Sequence, residues 1–507
     1  MNKVCYCSIA TDGSNHGSVK LFPILIQYFD YRNGGLQSKL ADVHSTPNDN
    51  ETAETISTCI KNTLDKHHLF EKCIAYAGDN CNTNFGGVWR RADGNNVFDR
   101  LQTMKTNSNL GPLVGIGCPA HVLNNAVHHG ADTLDIDIES MIMKIYNYFS
   151  IYTVRTEQLK EYCEFVEVEY RQLLYHSKTR WLSLFPGIQR LLEMFPALKS
   201  FFLSQDKSPA VIRKFFENDL SELYLWHLHS VMSMFQSHIG EIERENNSLL
   251  EVINCLKSVQ SVLRCRAEAG FMPFKVKELL AKLRRDGLGD GCDAFCLQVN
   301  LLYTTCLEYL AMWTVPLDEF NGFAWMTLND TPTWDEVAAS ISYLKERKVE
   351  IDDGKCFDQL CNLKRFVELN RNKEDFIAQL AHEKWVNFFK SCKTEECFSE
   401  LLIITEFFFA IPAHNANTER VFSLMQSQWT KERSKWMVDS VTGILFVQHN
   451  FKHMSCKDFY TYINTQPNLL KAISSSEKYS WAQTQTQSTF PSSTSSALDD
   501  SDAVATD

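Results

Sequence analysis

The chain has 507 residues, 44% of them hydrophobic and 22% charged, which excludes a wholly disordered or fibrous polymer. With 50 Lys+Arg against 62 Asp+Glu the formal charge is −12, so any contact with nucleic acid has to come from local basic patches. Seventeen scattered cysteines without a CxxC pair, and a start (MNKVCYCSIATDG) lacking an apolar leader, suit reduced thiols in the cytosol or nucleus. No run approaches the ~20 apolar residues of a membrane span. The richest, LLIITEFFFAIP from Leu401, carries Glu406 and stops at Pro412.

The β-branched and aromatic run Val4–Asp12 ends on a DG turn and predicts a first strand; Val19–Asp30 and Gly35–His44 predict two more, joined as antiparallel hairpins. Pro23 inside the second implies a bulge or an edge. Behind an Asp/Asn cap near Asn50, Ile56, Ile60 and Leu64 recur at helical spacing. The apolar runs Cys73–Asp79 and Leu113–Cys118 read as buried strands, each followed by a helix. The order β-β-β-α-β-α-β-α predicts a mixed sheet with helices on its faces. From about Ile138 to about Pro412 helical periodicity dominates with no fixed repeat, and helices follow over TERVFSLMQSQW and Val438–Phe451. Residues 474–507 are Ser/Thr/Gln-rich with net charge −4, a disordered acidic tail by composition.

Three groups of residues carry possible chemistry. Asp12 and Asp79 close the first and fourth strands; if those strands are parallel neighbours, both carboxylates emerge at one rim, where a divalent cation would offset their repulsion. Both also suit the turns in which they stand. CPAHVLNNAVHH offers Cys118, His121, His128 and His129, but a structural zinc needs four ligands and no second pair is evident. In SKTRWLSL, Lys178 and Arg180 stand just before Trp181, a combination that binds phosphate and stacks a base, or simply packs a helix start. KVKELLAKLRR (Lys275–Arg285) is a basic stripe that an amphipathic surface helix also explains. P-loop, GxSxG and HxE…PCxxC patterns are absent.

TDGSNHG, AGDNCNTNFGG, GCPAHVLNNAV, TRWLSL, a long helical stretch and AHNANTERVFSL follow one another in this order. Together they resemble the transposases of the hAT superfamily, over roughly residues 4–451. The resemblance implies a ribonuclease-H-like core (1–137), a helical insertion domain (138–397), and the end of the core with a C-terminal dimerisation region (398–455). It implies a catalytic and metal-binding triad of Asp12, Asp79 and Glu419, the family's C/DxxH motif at Cys118 and His121, and its insertion Trp at Trp181. His121, Arg180 and Trp181 would contact DNA, and Val441, Ile444 and Leu445 would serve dimerisation. Two Mg²⁺ or Mn²⁺ ions about 4 Å apart would support phosphodiester cleavage and strand transfer.

Two features depart from that pattern. The family's N-terminal zinc-finger module would precede strand one, which here begins at Val4, so DNA binding is expected to be weak and nonspecific. Trp436 stands where relatives often show Leu, though Val441, Ile444, Leu445 and Val447 still offer an apolar stripe. The expectations are therefore a nuclear homodimer or larger oligomer, either a metal-dependent transposase-like enzyme or a non-catalytic, domesticated interaction or chromatin-associated factor.

Overall fold

The first 120 positions form six strands, several of them near-continuously buried: β1 (Cys7–Thr11), β2 (Ser14–His16), β3 (Val19–Asp30), β4 (Gly35–Pro47), β5 (Cys73–Gly78) and β6 (Val114–Gly117). The computed structural model describes residues 4–16, 19–47, 52–87, 94–176, 181–205, 207–430, 436–452 and 454–475. β3 lies between β4 and β1 and is antiparallel to both, while β1, β5 and β6 run parallel. The short β2, which the sequence reading did not foresee, pairs with the start of β3. Pro23 falls in the gap between the β2 pairing (Val19–Leu21) and the β1 pairing (Ile24–Gln27), with a register shift toward β4 just beyond it. Pro23 nonetheless stands in register with Val43 of β4; of the bulge or edge that the sequence suggested, the nearby register shift fits a bulge, while β3 is not an edge strand.

Side chains alternate between two faces. Ile9, Ile24, Ile26 and Tyr76 face α1 (Ala53–Lys66) and α3 (Val97–Asn107). Ala10, Leu25, Phe29, Ala75 and Ala77 belong to a second core on the other side. α1 is capped by Thr52, whose side chain accepts from Thr55 N–H, not by the Asp/Asn residues around position 50. A one-turn helix, α2 (Asn82–Phe85), follows β5, and α4 (Pro119–Ala131) follows β6.

From Ile138 onward the regular elements are helical. α5 (Ile138–Ser150), α6 (Thr153–Phe165), α7 (Phe185–Glu193), α8 (Phe195–Ser204), α9 (Ala210–Glu217), α10 (Ser221–Ile242), α11 (Leu249–Glu268), α12 (Phe274–Arg285) and α13 (Gly289–Thr314) pack largely on one another and on α4. After a 3₁₀ stretch, Val315–Thr327, come α14 (Trp334–Glu346), α15 (Asp353–Asn370), α16 (Glu374–Ile377), α17 (Ala381–Ser391), α18 (Ser399–Ala410), α19 (Ala416–Gln428) and α20 (Val438–Asn450). These share the sheet's second core instead. α18 is the apolar run noted above: it is apolar almost all round because both sides are buried, and Phe409 stacks on Phe29 of β3 at 5.4 Å. Its one central acid, Glu406, accepts the Cys5 N–H at 2.8 Å.

The architecture is therefore α/β, a mixed six-stranded sheet among many helices. The described residues up to 450 form one compact unit and those from 451 a second. The described part of the second unit is α21 (Cys456–Asn464) and α22 (Pro467–Ser474), with no buried residue. Of the expected disordered tail, 476–507 lies outside the described residues. Among the described residues no helix is long and apolar enough to cross a membrane. All seventeen cysteines are free.

Candidate functional site

β1 and β5 are adjacent and parallel, with Ile9 opposite Tyr76 and Ala10 opposite Ala77. Asp12 and Asp79 each follow the last residue of their strand, so the chain direction alone brings both to one rim. They line a single cavity of about 110 Å³ together with Thr11, Lys20, Cys81 and Asn84. Asp12 Oδ1 accepts the Gly13 N–H at 2.8 Å. Burial, then the neighbouring Asp79 charge, raises the Asp12 pKa to about 6; Glu419 adds to this, and the Gly13 N–H and His121 oppose it. Asp79 Oδ1 accepts from Asn84 Nδ2, and Asn84 Oδ1 accepts from the Tyr76 hydroxyl at 2.8 Å. The phenol thereby sets which way the amide points. Gly78 makes room for this relay: a Cβ there would lie 2.9 Å from the Tyr76 hydroxyl oxygen. Burial and Asp79 push the Cys81 thiol up to about 12.

Glu419, far away in the chain, acts electrostatically on Asp12 but lines the neighbouring cavity. The AHNANTER segment acts as a clasp at the start of α19. Asn415 Nδ2 donates to Thr11 O at 3.1 Å, one residue before Asp12, and its Oδ1 accepts from Thr418 Oγ1 at 2.7 Å. His414 Nε2 donates to Arg244 O at 2.9 Å while its Nδ1 accepts from Ala416 N–H at 3.1 Å. The bond from Ala416 needs an unprotonated Nδ1, and burial lowers the His414 pKa to about 4, although the Arg244 carbonyl favours the charged ring. Arg420 donates to Glu243 O and to Asn417 Oδ1. The helix start is thus tied to β1 on one side and to the segment after α10 on the other.

His121 stands one turn into α4. The adjacent Cys118 raises its pKa to about 10 against burial, with Asp12 and Glu419 contributing. His121 and Glu419 open onto a second cavity, about 320 Å³, shared with Asn124, Ser183, Phe185 and Glu243. Asn124 Oδ1 accepts the Leu182 N–H at 2.7 Å, which anchors the 3₁₀ turn Trp181–Leu184 beside that cavity. Arg180 and the Trp181 side chain lie outside the described residues. His128 and His129 do not join this group: His128 Nε2 lies 3.8 Å from Asp132 and Glu139, and His129 packs on Tyr309. The structure thus gathers Asp12 with Asp79 in one cavity and His121 with Glu419 in the next.

Among the described residues no group of three or more His, Cys, Asp or Glu side chains stands ready to hold a metal, so neither a zinc site at Cys118/His121 nor a closed three-carboxylate cage is preformed. The donor chemistry nevertheless fits a hard divalent cation. Two like-charged carboxylates share one cavity, the buried Thr11 Oγ1 that lines it has no hydrogen-bond partner, and Mg²⁺ ordinarily takes only one or two protein carboxylates, completing its shell with water and phosphate.

Val441 and Leu445 are each 1% exposed within their own chain. α20 packs along β4, where Asn450 Oδ1 accepts Leu40 N–H at 2.8 Å and Nδ2 donates to Leu40 O at 2.9 Å. The helix therefore covers an edge strand. Ile444 is half-buried and Val447 exposed. α12 is an amphipathic surface helix: Val276, Leu280 and Leu283 are buried, and Lys275 and Arg284 pair with Glu278 and Asp293. Asn84, His414, Asn415 and Asn450 escaped the sequence reading as individuals, although three of them lie in motifs it quoted.

No protein-family model matches this sequence.

Proposed function

We propose that the chain is a transposase-like protein of the hAT type, with a ribonuclease-H-like core in which Asp12, Asp79 and Glu419 serve Mg²⁺- or Mn²⁺-dependent phosphodiester chemistry on DNA. One observation carries the reading. Two carboxylates stand at the ends of adjacent parallel strands, and a third sits on a helix after a long helical stretch, clasped to Thr11 by Asn415. The strand order β4-β3-β1-β5-β6, antiparallel then parallel, suits such a core. When bound, the cation would polarise a phosphodiester oxygen and favour attack by water or a 3′-hydroxyl. The chain's own groups do the positioning: Asn84 orients Asp79, the clasp holds Glu419, and His121 lines the cavity with Glu419 where a phosphate would enter.

The test is nicking of supercoiled plasmid by the full chain in Mn²⁺, compared with Asp79→Asn. Manganese-dependent nicking lost in the variant is expected; equal nicking by both, or none by the wild type, would sink the catalytic reading. A second reading, a non-catalytic interaction or chromatin-associated factor, is favoured by the absence of a preformed three-ligand set among the described residues and by the net charge of −12. Under either reading DNA binding is weak and nonspecific, and the protein acts in the nucleus as a homodimer or larger assembly. Self-association would have to use Ile444, Val447 and neighbouring exposed residues, because Val441 and Leu445 are already occupied within the chain.

A further inference from the structure

The strands that end in Asp12 and Asp79 begin with cysteines. Cys7 and Cys73 stand in register across the parallel pair β1/β5. Neighbouring strands hold in-register Cα atoms about 4.8 Å apart, within the ~4.4–6.8 Å that a disulfide spans. Both side chains are buried, 3% and 2% exposed, in the core on the α1/α3 side, so they point the same way. In the reduced state each thiol donates to a nearby backbone carbonyl, Cys7 to Leu69 O at 3.9 Å and Cys73 to Ala75 O at 3.6 Å, so both would turn from these to meet. The register slips between Cys7 and Ser8, so that Cys73 and Ala75 become consecutive partners and Ile74 is skipped. A bulge of this kind loosens the ladder where two sulfurs would have to draw together.

Their surroundings are not those of inert packing thiols. Lys105 is only 3% exposed, and its ammonium donates to Phe70 O at 3.1 Å and Glu71 O at 3.2 Å in the turn that leads into Cys73. It acts electrostatically on both thiols, and Lys72, bonded to Val4 O at 2.8 Å, acts on Cys7. A buried ammonium costs desolvation free energy, and a pair of neutral packing thiols gains nothing from it; a thiolate does.

We propose that Cys7 and Cys73 form a redox-sensitive dithiol that a hydroperoxide closes to a disulfide. Cys73 is the nucleophile, since the Lys105 ammonium, held by Phe70 O and Glu71 O in the turn that leads into it, favours a thiolate there. Its sulfur bonds to the terminal peroxide oxygen, the O–O bond breaks, and the departing alkoxide takes up the proton that Cys73 released. The Cys7 sulfur then attacks the Cys73 sulfenic sulfur; the S–O bond breaks, and the oxygen leaves as water with the Cys7 proton. Two thiols lose two electrons and one hydroperoxide gains them, giving one disulfide, one alcohol and one water. The link would tie together, at their entry ends, the two strands that carry Asp12 and Asp79 at their exits.

The experiment exposes the full chain to tert-butyl hydroperoxide, blocks remaining thiols with N-ethylmaleimide under denaturing conditions, and maps unreduced peptides by mass spectrometry. A linked Cys7–Cys73 peptide pair is expected, reversed by dithiothreitol and slowed several-fold in Lys105→Met. Oxidation should raise the melting temperature of the wild type by several degrees and leave Cys73→Ser unmoved. The proposal is overturned if Cys7 and Cys73 both stay alkylated while the exposed Cys5 and Cys456 are oxidised, or if either of the pair is found linked elsewhere. If Cys73→Ser does not fold, the wild-type peptide map decides alone. None of these outcomes depends on metal binding or DNA cleavage.

Discussion

Replacing Asp12 by Asn should stabilise the metal-free protein at neutral pH. The carboxylate is partly buried beside Asp79, and its pKa of about 6 against an ordinary 3.8 measures how much the fold disfavours its charge. A shift of that size corresponds to about 3 kcal/mol at full value. Water reaching the half-buried group lowers the realistic gain to about 1–2 kcal/mol. Asn keeps the Oδ1 that accepts the Gly13 N–H, so little else is lost. The sign with pH follows from proton uptake. Between about pH 6 and 3.8 the folded wild type holds a proton at Asp12 that the unfolded chain releases, so the wild type gains stability as pH falls through that window and the advantage of the variant vanishes. The assay is urea unfolding in EDTA at pH 7.5 and pH 4, repeated at pH 7.5 with Mn²⁺, which should restore the wild type and leave Asp12→Asn unchanged. An Asn variant no more stable than wild type at pH 7.5, or an advantage that persists at pH 4, would refute the electrostatic argument.

Three further outcomes follow from named residues. His414 titrates near 4 in the fold and near 6.5 when unfolded, so its neutral form supports the clasp fully above about pH 6.5 and that support, about 3 kcal/mol, is lost as pH falls toward 4. His414→Gln, which keeps a donor and an acceptor, should flatten the pH dependence of urea stability over that range; His227, lowered to about 3, titrates alongside, so the difference between the two proteins is the measure, and parallel curves would exclude the assigned role. Leu445→Asp places a charge against β4 and should lower stability by at least about 3 kcal/mol in thermal denaturation. Ile444→Asp, on the half-buried side, should instead leave the fold intact and reduce self-association in sedimentation; the opposite pattern would show that the helix faces are misassigned.

Runs of β-branched, aromatic and apolar residues bounded by turn residues by themselves marked β3, whose limits Val19–Asp30 agree with the structure, and put Asp12 and Asp79 at strand ends, because those signals lie within a few residues of the chain. Apolar residues three and four apart likewise marked α20 and its stripe. What covers that stripe was not legible: β4 lies about four hundred residues earlier, and only the folded chain brings Asn450 to Leu40. The same holds for Glu419. As a helix residue it carries no signal of its own, and the bond from Asn415 to Thr11 that ties its helix to β1 joins residues 404 apart. Cys7 and Cys73 were two among seventeen scattered cysteines until the parallel register of β1 and β5 set them opposite each other. Periodicity is written by neighbours a few positions apart, so a sequence carries it openly. Which distant side chains meet is decided by how sheet faces and helix stripes are buried together, and that exists only once the chain has closed on itself.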